Sequence, residues 1–419
     1  MSINTPLGDT LPQFQDGLLA GRSAVGRFAA LDTSNIYSKV GADLSRYDVK
    51  AKVEALRARV PDTVHACLKR MTRRAPWSTS LSMLLAADAF ADAGLFGVAD
   101  PERVAAVVAG HNINVNHTFQ NQNTFLDEPD FIDNLLALHG LDTDHAGSVS
   151  EVLGTTGPIY TVGGACASGN VALRSAVDEI RYHDVDRAVV VGAVLDVSPM
   201  DLHAMALLGA ISTGAFDEDP ERASRPFDVR RNGFVPAHGG GALVLEDWET
   251  AKRRGAHIYA EVLEVGANAG ASHLPKPSEE AQSRLISQVL RKAGRSPEEV
   301  DFVCAHATST PLGDLSEVRA LRRVFGKHAQ DLKVNAPKSM LGHTCWAAPV
   351  VETVAAVLQM QAGRLHPSIN IDELDPEVDL DVCQGGAVDH SVGLVLKNSF
   401  GFGGINCVSL LAHPDAVEA

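Results

Sequence analysis

The chain has 419 residues, 45% hydrophobic and 21% charged, a composition that can bury a substantial core and excludes disorder as the main state. Its 52 acidic and 36 basic residues leave a formal charge of −16, which argues against a nucleic-acid partner held by phosphate neutralisation. No run of about 18 apolar residues occurs, and the opening MSINTPLGDT lacks the basic-then-apolar pattern of a secretory leader, so the expectation is a cytoplasmic protein with no membrane partner.

Along the chain, the densest basic cluster of the first half is Lys69, Arg70, Arg73 and Arg74, ahead of a helical pattern over residues 80–93. Residues 159–162 read as a strand that runs through GGACASG into a helical pattern over 170–182. The β-branched runs at 187–194 (RAVVVGAV), 241–245 and 300–305 read as buried strands, alternating with helical patterns at 278–293, 314–325 and 347–362. Such alternation implies an α/β architecture with largely parallel sheets. The charged stretch 246–255 (EDWETAKRRG) is the best seam between two halves, residues 1–247 and 248–419. No period of 20–50 residues repeats, which excludes a solenoid or propeller.

The six cysteines form no CxxC pair, so neither a zinc site nor a disulfide framework is suggested. Cys166 stands apart because it sits at a strand-to-helix turn, where the unpaired N–H groups and positive dipole end of a helix favour thiolate over thiol. The same turn suits a packed core cysteine equally well. Two further segments bear on the choice. His306 opens HATSTPLGD at the exit of a strand, where α/β sheets place ligands, and KSMLGHT holds Lys338 and His343 at another strand-like exit. Each of the sixteen histidines taken singly reads as structural or solvated; together with the cysteine and lysine at glycine-flanked turns they read as a site.

The ordered motifs GGACASG, HATSTPLGD, KSMLGHT and NSFGFGGIN resemble the β-ketoacyl-acyl carrier protein synthases, the condensing enzymes of fatty acid and polyketide assembly. LLAGRSAV, RPFD and GFVPAHGGG extend the resemblance over nearly the whole chain. It implies a thiolase-like fold of two similar halves in five α/β/α/β/α layers, a homodimer or a ketosynthase-like heterodimer, and an acyl carrier protein as partner. Cys166 would carry the acyl group as a thioester, and His306 and His343 would bind the malonyl thioester, promote decarboxylation and stabilise the enolate. Lys338, held by Glu352, would order the site, although the same pair also reads as a satisfied buried ion pair. The N–H groups of Cys166 and Phe402 would form the oxyanion hole, with Phe402 gating acyl entry. Thr308 and Thr310 would hold the pantetheine arm, and Phe400 and Gly403 would help bind substrate. Lys69, Arg70, Arg73 and Arg74 would dock the carrier protein; a solvated helix end is the competing reading of that cluster. A nucleotide phosphate loop at the C-terminal glycines is excluded, because neither GxxxxGK[ST] nor GxGxxG occurs. No metal or other cofactor is expected; the substrates travel on the phosphopantetheine of the carrier protein.

The chain departs from the family in four places. The family's short apolar first strand, central in the fold, precedes the position where this chain opens and is expected to be absent. Ala307 replaces a glycine, and Cys345 and Trp346 follow GHT where small residues are usual, which suggests altered packing or a restricted pocket. Ala237 and His238 stand where glycine and an acidic residue are usual. Residues 110–123 (GHNINVNHTFQNQN) are rich in amides, pointing either to a wet polar interface or to a pocket for a short or polar acyl group. The leading expectation is decarboxylative Claisen condensation of an acyl thioester with a malonyl unit, in polyketide or specialised fatty acid biosynthesis. The alternatives are a malonyl-carrier protein decarboxylase of a polyketide branching cassette and a non-catalytic chain-length-factor-like subunit; an intact Cys166 argues against both.

Overall fold

The computed structural model describes residues 1–417, and its core is two five-stranded mixed sheets sharing a central layer of helices. The first sheet comprises β1 (Ser2–Asn4), β2 (Val104–Ala109), β3 (Ile159–Val162), β4 (Arg187–Gly192) and β5 (Gly240–Glu246), in the order β1-β5-β4-β2-β3. The second comprises β6 (Glu261–Ala269), β7 (Phe302–Cys304), β8 (Lys333–Asn335), β9 (Leu394–Gly401) and β10 (Ile405–Ala412), in the order β8-β7-β9-β10-β6. Three neighbouring strands run parallel in each sheet and the remaining two pairings are antiparallel. The expectation of largely parallel sheets therefore holds for half of each ladder. At β9–β10 a tight hairpin reverses the chain, so no crossover helix is needed and the pairing is antiparallel.

The helices around the two sheets include α1 (Asp62–Met71), α2 (Trp77–Asp92), α3 (Val115–Asp127), α4 (Thr143–Leu153), α5 (Ser168–Tyr182), α6 (Glu279–Lys292), α7 (Pro311–Phe325) and α8 (Ala348–Ala362). α5 and α8 pack on each other and on strands of both sheets, α2 and α4 cover the outer face of the first sheet, and α6 and α7 cover the second. The result is the five-layer arrangement expected. α8 is buried all round from Ala348 to Met360, as its nearly continuous apolar sequence requires. Among the described residues no helix is long and apolar enough to cross a membrane.

One expectation about the fold is corrected. The opening residues are themselves a strand: Ser2, Ile3 and Asn4 pair antiparallel with Ala242, Gly241 and Gly240, and Ile3 is buried. This strand lies at the edge of the sheet rather than its centre, and the Met1 amine is 2.6 Å from the Asp92 carboxylate. The pattern S-I-N is too short to register as a strand alone, and its pairing supplies what its propensity lacks. The charged stretch 246–255 lies between the last strand of the first sheet and the first of the second, where Glu246 pairs with Arg187 and Arg254.

RPFD joins the halves. Arg225 is fully buried, 2.8 Å from Asp228 and 2.7 Å from Asp372, while Asp228 also accepts from the backbone N–H groups of Asp372 and Glu373. Such a guanidinium is tolerated in the interior because carboxylates on separate segments surround it.

Candidate active site

Cys166, His306, Lys338 and His343 all lie just past strand ends, at one end of the layered core. β3 exits through Gly163 and Gly164 into a single 3-10 turn, Ala165–Ala167, which leads into α5. β7 exits directly to His306, and β8 exits to the one-turn helix Lys338–Leu341. His306 and His343 meet edge to face with ring centroids 5.7 Å apart, and Phe400 stands 5.7 Å from His306 on another side.

Cys166 is 7% exposed, and the backbone N–H groups of Phe402 and of Cys166 itself face its sulfur. Gly401 makes that approach possible: a Cβ there would lie 2.6 Å from the Gly164 carbonyl oxygen and 3.3 Å from the Cys166 nitrogen. Burial pushes the Cys166 thiol up to about 11, while Lys338 and the two N–H groups act in the opposite direction without overcoming it. The expectation of a thiolate at the helix end is thereby corrected: loss of water outweighs the two N–H groups and Lys338, and Cys166 rests as a thiol.

Both histidines are neutral. Burial, and then the positive charge of Lys338, hold His306 and His343 well below the ordinary imidazole range. The Cys345 N–H donates to His343 Nδ1 at 3.2 Å, which leaves the ring proton on Nε2. That Nε2 is buried and meets no partner among the described residues. A buried, unpaired N–H is costly, and one held in this geometry is preorganised to donate to an oxygen that brings its own charge.

Below the histidines lies a dry ionic cluster. Lys338 Nζ donates to the His306 carbonyl at 2.6 Å and to Glu352 Oε1, and Glu352 Oε2 is 2.6 Å from Lys397 Nζ. Lys397 donates to Ser399 Oγ at 2.7 Å. All three charged side chains are at most 2% exposed, so two cations share one anion in the interior. Glu317, on α7, fixes the first histidine loop by accepting from the N–H groups of His306 at 2.9 Å and Ala307 at 2.8 Å and from Asn398 at 2.8 Å. These bonds hold Ala307 at φ 20°, where it stands in for the glycine expected by resemblance. Asp314 holds the next turn through the Ser309 N–H at 3.1 Å.

Sequence reasoning missed Lys397, Asn398, Glu317 and Asp314. The signal was present in two of them: Lys397 interrupts the otherwise apolar start of β9, and Glu317 shares the buried face of α7 with Val318, Ala320 and Leu321. Thr308 and Thr310 face each other with hydroxyls 3.0 Å apart, Phe400 is buried, and Phe402 is 38% exposed at the tip of the β9–β10 hairpin, next to Gly403.

Within the amide-rich stretch the buried amides find partners in the chain, except that Asn114 Oδ1 has none among the described residues, and Asn112, Gln120, Gln122 and Asn123 are exposed. Asn114 donates to Thr79 Oγ1 and the His139 carbonyl, Asn116 to Asp196, and Asn121 to the His117 carbonyl. His117 Nε2 and His139 Nδ1 lie 3.0 and 2.8 Å from one Asp133 oxygen, distances that hydrogen bonds account for. His238 is buried against Trp77 and Phe28 and accepts from the Leu44 N–H at 3.1 Å.

Lys69, Arg70, Arg73 and Arg74 lie at the end of α1 and in the turn before α2, on the surface of the molecule. Lys69 pairs with Glu54 and Arg70 with Glu151, while Arg73 and Arg74 form no ion pair among the described residues. The cluster is distant in sequence from the histidine loops, and the structure does not bring it into contact with the Cys166 turn.

Residues 1–251 match the family described as beta-ketoacyl synthase, N-terminal domain, and residues 259–372 match beta-ketoacyl synthase, C-terminal domain. The chain is 32% identical over 410 residues to the polyketide biosynthesis malonyl-ACP decarboxylase PksF of Bacillus subtilis, covering 97% of this chain and 93% of that protein. It is 31% identical over 417 residues to 3-oxoacyl-[acyl-carrier-protein] synthase 2 of Coxiella burnetii, covering 99% and 97%. Among solved structures, a type II polyketide synthase acyl-carrier protein in complex with its ketosynthase, AntDE:AntF, contains a chain that superposes with a TM-score of 0.84 at 26% identity, covering 98% and 97%.

The buried thiol makes a direct prediction. Iodoacetamide capture of Cys166, followed by mass spectrometry, should be slow at about pH 7–8 and rise only as the pH nears the thiol value. A half-rise below the roughly 8.5 of a free thiol would mean that the helix end prevails over burial.

Proposed function

The chain belongs to the beta-ketoacyl synthase family, and on that premise we propose that it condenses an acyl group carried on Cys166 with a malonyl unit presented on an acyl carrier protein. The observation that carries this reading is the convergence of a buried thiol, two neutral imidazoles and two backbone N–H donors above a lysine pair. Residues 1–247 would supply the nucleophile and residues 248–419 the histidines and lysine.

In the first half-reaction, Cys166 Sγ attacks the acyl thioester carbon. The developing oxyanion takes hydrogen bonds from the Cys166 and Phe402 N–H groups, the carbon–sulfur bond to pantetheine breaks, and the departing sulfur takes the cysteine proton. Because the thiol is high in the resting protein, proton and acyl group exchange sulfurs without a free thiolate standing in the site. In the second, His306 and His343 donate to the malonyl thioester oxygen as the carboxylate leaves as carbon dioxide. The enolate carbon then attacks the Cys166 thioester, the new carbon–carbon bond forms, and the cysteine sulfur leaves and takes a proton from solvent. An imidazolium would give up its proton to the enolate and quench it; a neutral N–H donor stabilises the charge without doing so. Lys338 acts as a positioning residue through the His306 carbonyl, and Glu352 holds Lys338. Thr308, Thr310, Phe400 and Gly403 would guide the pantetheine arm past Phe402.

A second reading, a malonyl-carrier protein decarboxylase, is favoured by the similarity to PksF; it needs the histidines but not the nucleophile. The exposed side chains Phe125, Leu126, Phe131, Leu138 and Leu141, together with Ile159 exposed on the edge strand β3, support a second copy covering this part of the surface as a homodimer. The cluster of Lys69, Arg70, Arg73 and Arg74 supports docking of an acidic carrier protein against an otherwise acidic molecule.

Intact-mass analysis after incubation with acyl and malonyl carrier protein tests the main reading. Cys166 should become acylated and a β-ketoacyl product should appear; acetyl-carrier protein with no thioester on Cys166 would instead support the decarboxylase. Cys166→Ala should abolish condensation and retain decarboxylation, and His343→Ala should lower decarboxylation on the order of 10²–10³-fold. Changing the four basic residues to Glu should slow turnover of carrier-bound substrate and spare a small pantetheine thioester. Equal losses on both would refute docking there.

A further inference from the structure

The backbone N–H groups of Cys166 and Phe402 face the Cys166 sulfur, and Cys345 lies close enough for the two thiols to act on each other. The segment that carries Cys345 forms a wall beside the nucleophile turn. The turn Ala165–Ala167 packs against the turn Cys345–Ala347, which carries Trp346 immediately after the His343 segment. Trp346 stacks on His111 with ring centroids 4.1 Å apart and planes 33° from parallel. His111 in turn presses on the strand exit that leads to the nucleophile, since a Cβ on Gly163 would lie 3.2 Å from His111 Cδ2.

The wall is rigid. Trp346 packs against two separate apolar clusters, one containing Ile113 and Val191 and the other Leu195 and Leu202. Its indole N–H is buried without a partner among the described residues, so packing and stacking rather than a hydrogen bond hold the ring in place. The loop under His111 is clamped by Asp142, whose carboxylate accepts from the Asn112 N–H at 2.8 Å and the Ile113 N–H at 2.9 Å. An acyl chain could lengthen in this direction only by displacing two stacked rings and the clamped loop behind them, which close packing makes costly.

Resting on the condensing reading, we propose that the His111–Trp346 stack closes the acyl side of the Cys166 site and restricts the protein to short acyl groups, acetyl through butyryl, excluding medium and long chains. Trp346 is thereby the specificity-determining residue and His111 its support.

The test is acylation of Cys166 in the intact protein, followed by intact mass, with acetyl-, butyryl- and octanoyl-pantetheine thioesters supplied in turn. Octanoylation should be slower than acetylation on the order of 100-fold, the scale on which an apolar pocket rejects an oversized group. Trp346→Ala and the milder Trp346→Leu, each checked for a cooperative thermal transition, should gain octanoylation while acetylation stays within a few-fold. Octanoylation as fast as acetylation in the unaltered protein overturns the proposal, whether or not the variants fold. Folded variants that still exclude octanoyl overturn the assignment to Trp346. Absence of acylation from every donor contradicts the condensing reading itself, and so is distinguishable from failure of the size limit.

Discussion

The site depends on one interior constraint: Glu352 must neutralise two lysines at once. Lys338 and Lys397 each meet a different oxygen of its carboxylate, and burial removes the solvent that would screen them. Two cations around one anion are tolerated in the interior because backbone and hydroxyl oxygens of His306, Asn398 and Ser399 complete the ammonium shells, and because the buried Glu317 carboxylate lies near enough to act on Lys338. The lysines also act on the histidines above them. Burial first, and then the positive charge of Lys338, makes a charged imidazole unfavourable, so both rings remain neutral and keep N–H groups to donate.

The fold serves this cluster by bringing segments far apart in sequence to one place. Glu352 sits on the central helix α8, which both sheets bury, Lys338 leaves β8, and Lys397 belongs to β9. A charge trio assembled from three elements cannot form until the second sheet and the central helix layer have packed, which couples the site to the complete fold. Glu317 adds a second tie, binding the His306 loop to Asn398. Cys166 arrives from the other sheet in the turn between β3 and α5, and the Gly401 contact closes the gap between the halves.

Much of this was legible in the residues. The alternation of strands and helices, the exit of β3 into α5 at Cys166, and the placement of His306, Lys338 and His343 at loop positions all followed from pattern and motif. Three things did not. The S-I-N strand is too short to carry a periodicity, and only its partner β5 makes it a strand. The charge state of Cys166 could not be read, because a helix N-terminus is visible in sequence whereas the depth of burial that raises the thiol is not. The amides of Asn114, Asn116 and Asn121 suggested either a wet polar interface or a polar pocket, and their partners Thr79, His139, Asp196 and His117 emerge only from the tertiary arrangement. Lys397 was visible as a charge in an apolar strand, but its shared anion lies 45 positions earlier in the chain, from 352 to 397.

The central claim is that burial, reinforced by the charge of Lys338, keeps His306 and His343 neutral and that His343 carries its proton on Nε2. Isotopic nitrogen labelling of the histidine rings, with His306 and His343 assigned by substitution and followed by NMR between about pH 6 and 8, reports protonation state and tautomer together. Two neutral rings are expected throughout that range, with the His343 proton on Nε2. A ring that becomes imidazolium within the range, or a His343 proton on Nδ1, would contradict the claim.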